Sequence, residues 1–296
     1  MKTKVSIVRT DDRADGVSRA IDLLGLGAEA SGKGVLIKPN FNTADPYPGS
    51  THNDTLTALI NKLREMGAAS ITVGDRSGPT STARTFEDKG IHALTERLGA
   101  GLVNFETMPE ERWEHIQPVG SHWRRGFHFA KPVLESDFVV STCCLKTHGF
   151  GGGFTISLKN TIGMLHKKNM SELHTSLWSM KKMIAEANVP YSPALIVVDA
   201  LEAFVDKGPM KGPVKSAGLF IAGMDRVAVD AAGVAVLKLI GSNRNIMERP
   251  VFGQEQIARA VELGLGVSGP GEMELVSDDQ LGSEAVGHIM DVLRQG

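Results

Sequence analysis

The sequence predicts an α/β protein with a mostly parallel sheet and helices on both faces. Three observations carry that expectation. Short apolar runs recur along the chain, stretches with apolar residues at helical spacing separate them, and polar clusters follow several of the runs. Near-continuous apolar strands suit a sheet covered on both sides, because neither face meets water.

Taken in order, Val5 to Arg9 reads as a strand and Ala14 to Leu24 as a helix behind Asp11 and Asp12. Gly34 to Lys38 is the second strand. Leu56, Leu59, Ile60, Leu63 and Met66 then fall at helical spacing, and Gly67 stops that helix. Ser70 to Gly74 reads as a strand, Ile91 to Leu98 as a helix and Leu102 to Phe105 as extended chain. The stretch from Met108 to Lys131 is irregular and holds Trp113, Trp123, His115, His122 and His128, which read as a local core or a lid. Phe138 to Thr142 is a buried strand, followed by helical patterns near Ser157 to Met164 and Ser171 to Ala187. Ala194 to Val198 and Gly218 to Ala222 are short strands. Asp225 to Ile240, with Asp225 as N-cap, is a long apolar helix, and Gln254 to Leu263 and Ser283 to Leu293 close the chain as helices. No internal repeat or long linker interrupts the pattern, so residues 1–296 read as one domain, or as two lobes meeting near residue 131.

Composition narrows the function. Hydrophobic residues make up 42% and charged residues 22% of the 296, ordinary for a globular chain with a sizeable core. A net charge of −2 and the lack of a basic stripe argue against nucleic acid and anionic membranes as partners. The N-terminus lacks a secretory h-region, no apolar run is long enough to span a bilayer, and cysteines are sparse; these point to the cytoplasm. The two cysteines, Cys143 and Cys144, are neighbours on a strand and point to opposite faces, so no structural disulfide joins them. There is no P-loop, no G-x-G-x-x-G and no H-E-x-x-H. The expected partner is a small molecule, with a homo-oligomer compatible.

In parallel α/β sheets ligands bind beyond the carboxyl ends of the strands. Four polar clusters fall there: Lys38-Pro-Asn40, Asp75 to Gly78, Lys146-Thr-His148 and Asp199. After the third comes a glycine cluster, Gly149 and Gly151 to Gly153, and then Lys159 and Asn160 near an expected helix start. Glycines let backbone approach a ligand closely. Lys146 and His148, two apart on extended chain, point the same way, and the neighbouring charge keeps the imidazole neutral and basic. Lys159 at the positive end of a helix would need an anionic partner or a depressed pKa. The expected catalytic groups are therefore His148, Lys159 and Lys146. Lys38, Asn40, Ser77, Gly78 and Asn160 are expected to bind substrate, and Asp75, Asp199, His52 and His174 to hold a divalent metal if there is one.

These residues carry a resemblance. Val35 to Phe41, Val73 to Gly78, Leu145 to His148, Leu158 to Gly163 and Ile196 to Glu202 resemble, in order, the motifs of the uncharacterised domain of unknown function 362 family. Gly208-Pro209, Asp225 to Asp230 and Gly264 to Gly266 extend the series. Some relatives carry four-cysteine ferredoxin motifs, which implies redox roles for part of the family. Two cysteines cannot supply that ligand set, so no built-in iron–sulfur cluster is expected here. The order His148, glycines, Lys159, His174 is also similar to the nickel-pincer lactate racemases, without that family's proline-glycine step after the lysine. The similarity implies a pincer-like cofactor on Lys159, with His148 and His174 beside it. The leading expectation is an isomerase, epimerase or lyase moving a proton on a carboxylate or carbonyl substrate. The alternatives are an oxidoreductase served by a separate ferredoxin, and a non-catalytic protein that binds an anionic metabolite.

Overall fold

The computed structural model describes residues 2–149, 151 and 153–295. Met1, Phe150, Gly152 and Gly296 lie outside the described residues, and with them one member of the expected glycine cluster. The strands are β1 (Thr3–Arg9), β2 (Gly34–Lys38), β3 (Ser70–Asp75), β4 (Gly101–Asn104), β5 (Trp113–Ile116), β6 (Phe127–Ala130), β7 (Phe138–His148), β8 (Gly153–Thr155), β9 (Leu195–Phe204), β10 (Val214–Gly223) and β11 (Met273–Val276). The α-helices are α1 (Arg13–Asp22), α2 (Asn53–Glu65), α3 (Thr82–Asp88), α4 (Ile91–Arg97), α5 (Lys131–Leu134), α6 (Ser157–Asn160), α7 (Met170–Thr175), α8 (Met180–Glu186), α9 (Arg226–Leu239), α10 (Arg244–Glu248), α11 (Glu255–Glu262) and α12 (Gln280–Arg294).

The main sheet runs β11-β1-β10-β9-β7-β2-β3-β4, with β8 paired to the end of β7. Strands β9, β7, β2, β3 and β4 are mutually parallel, and β10 runs against both β9 and β1. The mostly parallel α/β fold expected from the sequence is what the chain adopts. Strands from either side of residue 131 interleave, since β1 pairs with β10 and β2 with β7.

Alternate residues of the strands feed cores on opposite faces. Val35 and Ile37 pack with Leu56, Leu59, Ile60 and Leu63 of α2 on one side. Cys143 and Leu145 pack with the almost wholly buried α9 on the other. Leu36 and Val139 join a third cluster beneath the β5–β6 hairpin. That hairpin falls in the stretch read as irregular. Its two strands are four residues each, too short for a clear period-two signal, and beyond each other they pair only through a bridge between Phe129 and Leu165.

Two strand ends matter most for the site. β7 continues past Thr142 to His148, and β9 past Val198 to Phe204. Polar residues that the sequence places after those strands are thus inside them, because pairing with neighbours holds the backbone extended. Gly149 and Gly151 fall between the antiparallel strands β7 and β8, and Gly153 opens β8; Gly151 and Gly153 have φ of 82° and 78°, conformations that glycine adopts without strain. The glycine cluster is not a loop leading straight into a helix.

Candidate functional site

A cavity of about 510 Å³ opens at the carboxyl ends of β2, β3 and β7, the place expected for this sheet. Lys38, Asn40, Asp75, Gly78, Lys146, His148, Lys159, Asn160 and His174 line it, so nine of the expected residues come together. The loop after β9 adds Pro209 and Met210.

Three expected residues lie elsewhere. Asp199 sits within β9, where its carboxylate accepts from Arg13 Nε at 2.9 Å and Thr55 Oγ1 at 2.6 Å, tying the sheet to α1 and α2. His52 caps α2, its Nδ1 accepting from Asp54 N at 3.1 Å. Ser77 donates to Phe41 O at 2.7 Å and its N–H donates to Thr82 Oγ1, an ordinary turn-forming role. The expected metal set is therefore divided between two places. Among the described residues no three His, Cys, Asp or Glu side chains converge as metal ligands.

Within the cavity wall, several groups are already committed. Lys38 is buried, and its three donors go to Asp75 Oδ1 at 2.7 Å, Pro39 O at 2.6 Å and Asn160 Oδ1 at 3.2 Å. An ammonium has no fourth donor, so the expected role of Lys38 as an anion contact does not hold. Burial lowers its pKa and raises that of Asp75, each drawn back by the other's charge. Asp75 also accepts from Phe41 N and Arg76 N, locking the ends of β2 and β3 together. Asn160 donates to Lys38 O, Ser141 Oγ and Thr142 O, and so braces the wall. Gly163 covers the Lys38–Asp75 pair so closely that a Cβ there would lie 2.6 Å from Asp75 Oδ1.

The remaining cations are different. Lys146, fully buried, donates to Pro48 O at 3.3 Å and to Gly49 O, which leaves one donor over. Burial lowers its pKa. The Lys159 ammonium makes no hydrogen bond or ion pair among the described residues, while its backbone carbonyl accepts from Thr161 N. Burial first, then the charges of Lys146 and Arg76, push its pKa down to about 8. The dipole argument for Lys159 fails: α6 has only four residues, and Lys159 stands in its last turn. Asp230 of α9 anchors the start of that helix, accepting from Ser157 N at 2.8 Å and Leu158 N at 3.1 Å.

His148 is held well below the usual imidazole value, chiefly by burial, then by Lys159 and Lys146. The direction matches the sequence-based expectation, with Lys159 outranking Lys146 as the charged cause. His174 sits exposed on α7 at the cavity mouth.

Arg76 has a function that the sequence did not disclose. Its guanidinium donates to Leu165 O at 2.8 Å, Ser77 O at 3.0 Å and Ile162 O, clamping the segment after α6 across the cavity. The signal was only a charged residue in a turn. Cys143 and Cys144 are free and buried in the sheet; burial raises the first thiol well up and the second to about 11. Such thiols are poor nucleophiles and poor redox groups, which removes the cysteine pair as a motive for the oxidoreductase reading.

A family model described as a domain of unknown function (DUF362) matches residues 35–235. Among solved structures, the chain is similar to the lactate racemase apoprotein from Thermoanaerobacterium thermosaccharolyticum. Identity is 14% and the TM-score 0.51, over 96% of this chain and 85% of that one. That likeness is one of fold. No curated protein matches, and no helix among the described residues is long and apolar enough to cross a membrane.

Proposed function

The chain belongs to the domain of unknown function 362 family, and from that premise we propose that it is an isomerase- or racemase-type enzyme moving a proton on a small carboxylate substrate. The observation that carries the reading is the pair Lys159 and His148 in one cavity, with pKa values displaced so that near neutrality the lysine is mostly protonated and the imidazole neutral. A matched acid and base with opposite protonation states is what proton transfer needs.

In one direction His148 takes the proton from the carbon next to the carboxylate or carbonyl. The Lys159 ammonium returns a proton to that carbon or to the neighbouring oxygen, so the proton count is conserved. The spare donor of Lys146 holds the substrate's anionic group and stabilises the charge that develops there. Asp75, Lys38 and Asn160 position the wall and do not touch substrate.

A nickel-pincer-like group, implied by the resemblance around Lys159, would fit the donor chemistry as an alternative in which Lys159 holds the group and no longer serves as the acid: a lysine amine that loses its proton readily, with His148 and His174 on the same cavity. When bound, it would supply an electron-accepting pyridinium ring. A bare divalent ion has no matching cage among the described residues.

The test is solvent exchange. Hydroxy and oxo acids are incubated with the protein in deuterium oxide, and loss of the α-proton signal is followed by NMR, with Lys159→Met as control. Exchange that Lys159→Met abolishes supports the reading. Exchange equal in the variant removes Lys159 from the mechanism, and no exchange with any acid, before or after loading with nickel and cell extract, overturns the enzymatic reading.

A further inference from the structure

We propose that the ligand of this cavity carries two separate anionic groups on one short carbon chain, as a dicarboxylate or a phosphorylated carboxylate does. The inference rests on the reading of the cavity as a site for a small carboxylate and narrows its class. It comes from a count of charges. Five cations line the cavity: Lys38, Arg76, Lys146, Lys159 and Lys167; the one carboxylate in its lining is Asp75. Asp75 is taken by Lys38, and Lys167 reaches outward to Glu106. Arg76 is held by backbone carbonyls and adds positive potential without being free to move.

Lys146 and Lys159 are left. The Lys146 ammonium is bonded to two carbonyls, which carry only partial charge, and feels the carboxylate of Asp45 without forming an ion pair with it; the Lys159 ammonium is bonded to nothing among the described residues. Lys146 lies near enough to Lys159 to disfavour the charged form of Lys159. A buried cation without a counter-charge is costly, and two like cations in one cavity add their repulsion. One anionic group on the ligand neutralises one of them and leaves the other stranded. Two groups neutralise both.

The cavity also has room and unmet polarity. About 510 Å³ is ample for a chain of several carbons. Asn40 and Thr155, both in the wall and more than nine-tenths buried, hold side-chain oxygens with no hydrogen-bond partner among the described residues. Native proteins leave few such atoms unpaired, and polar sites are where they do.

The experiment is calorimetric titration of the full chain at pH 8.5 and matched ionic strength with malate, 3-phosphoglycerate and lactate, each in two buffers of different ionisation enthalpy. Malate and lactate differ by one carboxylate, and 3-phosphoglycerate separates a need for phosphate from a need for a second carboxylate. At least one of malate and 3-phosphoglycerate, called dianions here for their two anionic groups although the phosphate carries a further charge, should bind about tenfold or more tighter than lactate. Its binding should draw a proton from the buffer, because pairing Lys159 raises a pKa that starts near 8. Lys159→Met and Lys146→Met should each bring the dianion down to the affinity of lactate. The Lys159 side chain bonds to no described residue, so its variant keeps the test valid should Lys146→Met fail to fold. Lactate binding as tightly as both dianions, no binding by either dianion, or dianion affinity unchanged in Lys159→Met overturns the proposal. Tight dianion binding without solvent exchange would sustain it while the enzymatic reading fell; exchange on lactate with neither dianion bound would do the reverse.

Discussion

At the scale of single residues, the displaced pKa values of Lys159 and His148 set the expected pH dependence. Lys159 acts as the acid only while protonated, so kcat/KM should fall as pH rises through about 8. His148 acts as the base only while neutral, so the acid limb should lie well below the ordinary imidazole value of about 6.5. A rate profile flat from pH 7 to 10 would remove Lys159 as the acid. The cause of the His148 shift can be checked without turnover. NMR titration of its ring should show the pKa rising in Lys146→Met and rising further in Lys159→Met, since Lys159 is the larger of the two charges acting on it. An unmoved ring in both variants would mean that neither lysine holds it down, leaving burial and His174. The expected grouping of Lys146 and His148 needed only strand spacing, whereas Lys159 was expected from its place at a helix start, and it stands instead in the last turn of α6. The saturation of Lys38 was not legible, because its three partners come from residues 39, 75 and 160 and only the fold assembles them.

At the scale of elements, the site depends on how the segment after α6 lies across the ends of β2 and β3. Gly163 is the point of closest approach. A methyl group there would meet Asp75 Oδ1, Lys38 Cε and Lys38 Nζ at 2.6–2.7 Å, and two of these atoms form a buried ion pair that cannot yield freely. Gly163→Ala should therefore cost about 1–3 kcal/mol of stability, as overpacking does. Denaturant melts would read it, and unchanged stability would show that the segment can lift away. The strands that the sequence disclosed start within a few residues of where they were expected, whereas the carboxyl ends of β7 and β9 lie further on and the short β5, β6, β8 and β11 were not expected. Hydrophobic runs mark where a strand is buried. Its pairing partners mark where it stops, and β8, which pairs with the end of β7, is only three residues long.

At the scale of the whole molecule, interleaving matters. Strands from the first and last parts of the chain alternate in one sheet, with β1 flanked by β10 and β11. Neither half can keep its share of the sheet once the other unfolds. We expect one cooperative transition in urea, coincident by far-UV circular dichroism and by the fluorescence of buried Trp123. Two separated transitions would mean that lobes on either side of residue 131 fold independently.

The sequence by itself determined the fold class, the family motifs and the end of the sheet where the polar groups gather. Those depend on local period and on the chemistry of residues that follow apolar runs. Only the tertiary structure decided which of the gathered groups remain available to a ligand. It spent Lys38 and Asn160 on the wall, moved Asp199 and His52 away from the cavity, and left Lys146 and Lys159 outside any ion pair among the described residues. The physical reason is that a charge's availability is set by its partners, and those partners are brought together across the sheet from distant parts of the chain.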